Sequence, residues 1–260
     1  MRGTRGQTGR FPEIVRPHSR LFLFMARLAR VLSTDTPHHV TQRGNARQLV
    51  FESDADRLVY LDLLRTNCQI QRLSLAGYCL MSNHVHLIVV PQQPESLPLA
   101  LKHTHGRYAA YFNARHVSSG HVWQGRYYSC PLDTPHFCAA LRYTELNPVR
   151  AGMVEDPVDY PWSSAAAHCG CGAPDPWLEM KPFSDAWDPA LWREYLSQAG
   201  AVEEADAIRK STHSGRPLGT PDFVAQLEKA LRRRLAPLKG GRPPKEQLDE
   251  RQTSFIFRAG

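Results

Sequence analysis

Apolar and polar positions follow two periods along this chain. The alternation of His38–Arg43 predicts a first strand, turned by Gly44-Asn45. Ser53 is placed to cap a helix, with Asp54 and Asp56 in its first turn. Leu58, Leu61, Leu64 and Cys68 then form a helical stripe running to about Gln71. Leu73–Met81 predicts a second strand, and Ser82-Asn83 turns the chain into a third over His84–Val90. After a loop over Pro91–Pro98, Leu99–Arg115 predicts a second helix, with Leu101, Tyr108, Tyr111 and Phe112 near one side. Val122–Leu132 mixes aromatic and basic residues, as a short strand or hairpin would. Asp133 or Thr134 can cap a third helix that begins at Pro135, since proline suits a first turn. The order predicts an α+β fold, a ferredoxin-like antiparallel sheet with helices on one face.

Beyond this unit the pattern weakens. Val154–Ser164, with Pro157 and Pro161, reads as a loop in which Tyr160 and Trp162 pack. Residues 174–199, carrying Trp177, Phe183, Trp187 and Trp192, predict a small helical addition. Phe223, Leu227, Ala230 and Leu231 recur at helical spacing within Thr220–Leu235, so the C-terminal extension is expected to be mostly helical and basic. Lys239–Lys245, with Arg242-Pro243, reads either as a hook for a DNA minor groove or as a disordered basic linker. Residues 1–24, rich in Arg and Gly, lack periodicity. They are read as a basic arm or as a segment preceding a true start at Met25.

Charge sharpens this division. The net charge is +7, yet residues 1–30 hold seven Arg against one Glu, and residues 209–260 hold 12 basic against five acidic residues. Residues 31–208 hold 13 basic and 19 acidic residues, so the basic excess sits at the two ends. Within the middle, residues 98–150 are basic and residues 151–208 acidic, which suits a polyanion near the former. Charge alone does not separate DNA from RNA or an acidic protein. Six cysteines without a secretory signal are expected to be reduced thiols. His168 beside Cys169-Gly170-Cys171 invites a zinc site, but no second cysteine pair completes one. The apolar run Leu21–Met25 is far too short to span a bilayer, so the protein is expected in the cytoplasm, away from membranes.

The candidate chemistry begins at Asn83-His84-Val85-His86-Leu87. In a strand, residues two apart share a face, so His84 and His86 point together and Val85 and Leu87 turn to the core. Two imidazoles on one rigid strand make half a site for a divalent metal, or two unrelated surface histidines. In Leu141–Gly152, Tyr143 and Asn147 stand at i and i+4 on one helix face, and Pro148 is expected to stop that helix. Arg43, Arg107 and Arg126 are candidate phosphate contacts. Trp123, Tyr127 and Tyr128 could stack on unpaired bases or pack as a hairpin.

Five blocks, in order, resemble one family: Pro37–Asn45, Tyr78–Leu87, Trp123–Tyr127, Tyr143–Gly152 and Tyr160–Ser164. They are similar to the HUH-type single-tyrosine transposases, most closely the REP-associated branch, over residues 25–170. The resemblance implies the HUH nuclease fold in a catalytic domain at 25–170; the pattern and charge of the rest predict a small helical addition at 171–208 and a basic DNA-binding tail at 209–260. It implies cutting and rejoining of single-stranded, hairpin-forming repeat DNA through a 5′-phosphotyrosine link. Tyr143 would be the nucleophile. His84, His86 and Asn147 would hold Mg²⁺ or Mn²⁺, with Glu145 or water as alternatives to Asn147. Arg43, Arg107, Trp123, Arg126 and Arg242 would touch DNA. A domesticated hairpin-binding protein without cleavage is the alternative. An RNA-binding ferredoxin-like protein and a zinc hydrolase fit less well. Related transposases exchange tyrosine helices in dimers, whereas the REP-associated branch is expected to be able to act alone.

Overall fold

The structure, a computed structural model, describes residues 29–172, 175–198 and 202–236. Four antiparallel strands form one sheet in the order β2-β3-β1-β4: β1 His38–Arg43, β2 Leu73–Met81, β3 His84–Pro91 and β4 Tyr128–Pro131. The register sets Thr41 opposite His86 and Arg43 opposite His84. On the other side of β3, Cys79 pairs with His86. β3 is therefore central, and its histidines lie on a face bounded by strands on both sides.

The two faces differ. Val40, Val85, Leu87 and Val89 point into one core with α1 (Asp54–Ile70) and α2 (Ser96–Arg115). Ser53 caps α1 as expected, accepting from the Asp56 backbone N–H in a reciprocal capping box. α2 begins three residues earlier than its periodicity predicts. Pro98 lies in its first turn, where no backbone N–H is required. Helices on one face describe α1 and α2; a third helix, α3 (Thr134–Glu145), covers the other face. It is capped by Asp133, whose carboxylate accepts from the His136 N–H. Ile88, Cys130, Phe137, Leu141 and Tyr143 form the core there. α3 approaches β2 at Gly77, where a Cβ would collide with the Leu141 side chain.

Pro148 does not end the helical path. α3 stops at Glu145, and a short turn, α4 (Asn147–Arg150), follows with Pro148 in its first positions. Pro148 has no N–H for the Thr144 carbonyl, and the Asn147 amide nitrogen supplies a donor, reaching Thr144 O at 3.2 Å and also Tyr143 O at 3.1 Å.

Three short helices follow: α5 (Ala165–His168), α6 (Lys181–Ser184) and α7 (Pro189–Ser197), the last two within the expected helical addition. Trp192 and Phe183 are buried there, whereas Trp177 is exposed. α8 (Val202–Ser214) runs unbroken through the expected division between residues 208 and 209. Its Ile208 and Thr212 are buried, and it packs on β4, α3 and β1. α9 (Pro221–Leu231) stops four residues before the predicted end, because Arg232 adopts a left-handed conformation (φ 48°). Residues 1–24, the Lys239–Lys245 segment and Arg242 lie outside the described residues. Among the described residues all six cysteines are free thiols, and no described helix is long and apolar enough to cross a membrane.

Candidate active site

Strand alternation and register together build the site. His84 and His86 project from β3 on the α3 face, with ring centroids 5.0 Å apart. Each has one nitrogen engaged. His84 Nδ1 lies 2.7 Å from Asn83 Oδ1. His86 Nδ1 lies 2.9 Å from Nε2 of His39, which is buried on β1. His39 Nδ1 in turn meets Thr212 Oγ1 of α8 at 2.7 Å. In both members of the pair Nε2 is the nitrogen left over.

α3 brings Tyr143 onto the same face. Its ring stands edge-on to His86 at 5.6 Å and to His39 at 5.8 Å between centroids. Two guanidinium groups flank it. Arg150 lies over the ring at 4.3 Å and donates to the Tyr143 carbonyl. Arg209 of α8 donates from Nε to the phenol oxygen at 3.3 Å. The tyrosine is 8% exposed. His84, His86, Tyr143, Asn147, Arg43, Arg47 and Arg209 line a single cavity of about 850 Å³.

Burial sets the state of the histidines. It pushes His39 down to about 3 and, helped by Arg43, His84 down to about 4. His86 is held well below the usual imidazole range by burial, then by His39 and His84. All three are neutral near pH 7, the form in which imidazole binds metals. Among the described residues no group of three His, Cys, Asp or Glu side chains could hold a metal. The donor set is instead two imidazole Nε2 atoms and an amide. Because the Asn147 nitrogen is committed to α3, its oxygen is the atom left for the cavity. Two imidazole nitrogens and one amide oxygen are donors that could together hold a divalent metal ion.

Other expected residues are placed elsewhere. Trp123 is buried against Tyr60, Tyr108 and His105, and its indole N–H donates to the His105 carbonyl at 3.0 Å. It is a core residue, not a stacking platform for DNA. Arg107 is exposed on α2, the helix against the opposite face. Arg126 is exposed near β4, outside the main cavity. Glu145 turns away from the histidines: Oε1 accepts from Ser164 Oγ (2.6 Å) and meets His168 Nδ1 (2.5 Å), and Oε2 accepts from Trp192 Nε1 (2.9 Å). It is not a metal ligand here, and among the described residues His168, Cys169 and Cys171 form no group of three able to hold a metal, so the zinc reading is not supported.

His39, Arg150 and Arg209 have site roles that motif spacing did not assign. His39 could have been found by pairing the strands. Arg209 follows Tyr143 by 66 residues, in a helix whose placement no local pattern fixes.

Residues 33–147 match the family model described as transposase IS200 like. Among solved structures, a REP-associated tyrosine transposase bound to a REP hairpin is 16% identical, with a TM-score of 0.46 over 54% of this chain and 82% of that one. A candidate transposase from Deinococcus radiodurans R1 is 18% identical, with a TM-score of 0.32 over 49% of this chain and 92% of that one. A comparison with curated proteins finds no match. The matched segment contains the whole histidine pair together with Tyr143 and Asn147, and over these residues the chain is similar to the IS200-like transposases.

Proposed function

We propose that the protein cuts and rejoins single-stranded, hairpin-forming DNA through a covalent tyrosine link. The observation that carries this is the Tyr143 hydroxyl beside a neutral histidine pair, in one cavity with an arginine donating to its oxygen. The phenol oxygen attacks the phosphorus of a phosphodiester. An O–P bond to Tyr143 forms, the bond to the 3′ oxygen breaks, and that oxygen takes a proton and leaves as a free 3′-hydroxyl. The phenol proton passes to solvent. One phosphodiester replaces another, so the step is reversible and needs no nucleotide cofactor.

A phenol has a pKa of about 10 and is a weak nucleophile at neutral pH unless assisted. Arg209 stabilises negative charge on its oxygen, and Arg150 fixes the ring. His84, His86 and Asn147 would hold Mg²⁺ or Mn²⁺, which supplies polarisation of a non-bridging phosphate oxygen when bound. With His86 binding through Nε2, its Nδ1–H donates to His39 Nε2, and His39 donates onward to Thr212. Tyr143 meets the histidines of its own chain, which supports a single chain as the working unit.

The test mixes purified protein with hairpin oligonucleotides from around its own gene, with Mn²⁺ or Mg²⁺, and reads a denaturing gel. A covalent band lost in both Tyr143→Phe and His86→Ala is expected. A band that persists in Tyr143→Phe would falsify the assignment of the nucleophile. Tight binding with no band under any condition would favour a hairpin-binding protein without cleavage.

A further inference from the structure

The main cavity does not end at Tyr143. It shares Tyr128, Thr212, His213 and Ser214 with a second cavity at the β4 edge, lined also by Arg30 and Arg126. Neither lining contains an Asp or Glu. Arg43, Arg47, Arg209 and Lys210 supply cations to the first. Between the two stands a pair of parallel rings, Tyr128 on β4 and His213 on α8, with centroids 4.7 Å apart and an interplanar angle of 16°. His213 is exposed. Tyr128 pairs with Thr41, which pairs with His86, so the ring pair stands two strands from the histidine site, about 10 Å across the sheet.

We infer that the Tyr128–His213 ring pair and the Arg30–Arg126 edge form a track for the unpaired DNA strand that leads to the scissile phosphate. Of these cations Arg209 is ion-paired with Asp206 on its own helix, and Arg43, Arg47, Lys210, Arg30 and Arg126 carry the positive charge along linings that hold no carboxylate. Such a stretch tracks a phosphate backbone, and an exposed ring held flat by a second ring offers a face for a base. Arg30 is itself braced, its guanidinium 3.7 Å from the Tyr127 ring centroid. The track joins two segments distant in sequence, β4 and α8, and gives the last turn of α8 a role besides packing. This inference rests on the DNA-cutting reading.

Tyr143→Phe full-length protein with Mg²⁺ is titrated with a fluorescent hairpin bearing no tail, a short oligo-dT tail 5′ of the stem, or the same tail 3′. One tail is expected to tighten binding about tenfold. His213→Ala should abolish that gain, and His213→Phe, which keeps a ring on Tyr128, should retain it. Arg126→Ala should flatten the slope of log affinity against log salt by about 0.7, the share of one single-strand phosphate contact. Affinity for the tailless hairpin and the unfolding midpoint should not change in these exposed-site variants. No gain from either tail, or a gain that survives His213→Ala, overturns the track. The covalent-band assay on otherwise wild-type protein separates the two ideas. A band without a His213-dependent tail gain removes the track alone. A His213-dependent gain without any band removes the cutting reading and leaves a single-strand track.

Discussion

His39 Nε2 lies 2.9 Å from His86 Nδ1, and this contact decides which nitrogen of His86 faces the cavity. His39→Ala frees the His86 ring to turn. Loss of such an outer partner typically lowers metal affinity about 10- to 100-fold. Formation of the covalent product should therefore need correspondingly more Mn²⁺ and recover at saturation. Unchanged metal dependence would remove the orienting role.

Arg209 donates to the Tyr143 oxygen from a half-exposed position, so solvent reduces its contribution to about 1 kcal/mol. Arg209→Ala should slow covalent-product formation about fivefold. Single-turnover rates at saturating metal would show this, and Arg209→Lys should recover part of the loss.

Glu145 accepts three buried hydrogen bonds that tie α3 to α5, α7 and the segment before α5. Glu145→Ala strands an imidazole and an indole N–H, and leaves the Ser164 hydroxyl with only its longer contact to the Tyr78 carbonyl. The expected cost is about 3 kcal/mol or more, read as a lower urea midpoint. Metal affinity of the protein that stays folded should be unchanged, since this carboxylate does not face the histidines.

His105, against Tyr60 and Trp123, is pushed down to about 3 by burial, with a smaller effect of Arg30; burial likewise brings His38 down to about 4. The unfolded chain binds protons at these residues below about pH 6.5, and the folded chain refuses them until far lower pH. Stability from this source is intact above pH 6.5 and falls on acidification, by about 1.4 kcal/mol per pH unit for each histidine. Urea midpoints at pH 7.5, 6.5 and 5.5 should fall accordingly, and less steeply in His105→Gln. Equal slopes in the two proteins would rule this out.

The elements that define the sheet were legible because alternation and capping are local. β1 and β2 match their predicted bounds, and Ser53 and Asp133 cap where side-chain chemistry places them. The histidine pair was legible for the same reason, since a period of two puts His84 and His86 on one face whatever surrounds the strand. Trp123 was not. An aromatic beside Arg126 suits a base or a core equally well, and only the approach of Tyr60 and Tyr108 from two helices decides it. Pro148 signals a break, yet the Asn147 side chain repairs the ladder and the chain coils on. Arg209 depends on how α8 returns to β4, which no nearby residue encodes.

The bond between His39 and Thr212 spans 173 residues. During synthesis, the strands, the histidines and Tyr143 leave the ribosome well before the wall that closes over them. Arg209 trails Tyr143 by 66 residues, roughly 3 to 13 s at bacterial to slower translation rates of about 5–20 residues per second. For that interval the phenol has no guanidinium at its oxygen and His39 has no hydroxyl to orient it. A nascent chain thus carries the side chains of the site early and acquires their alignment late, which separates the moment of translation from the moment at which the site is complete.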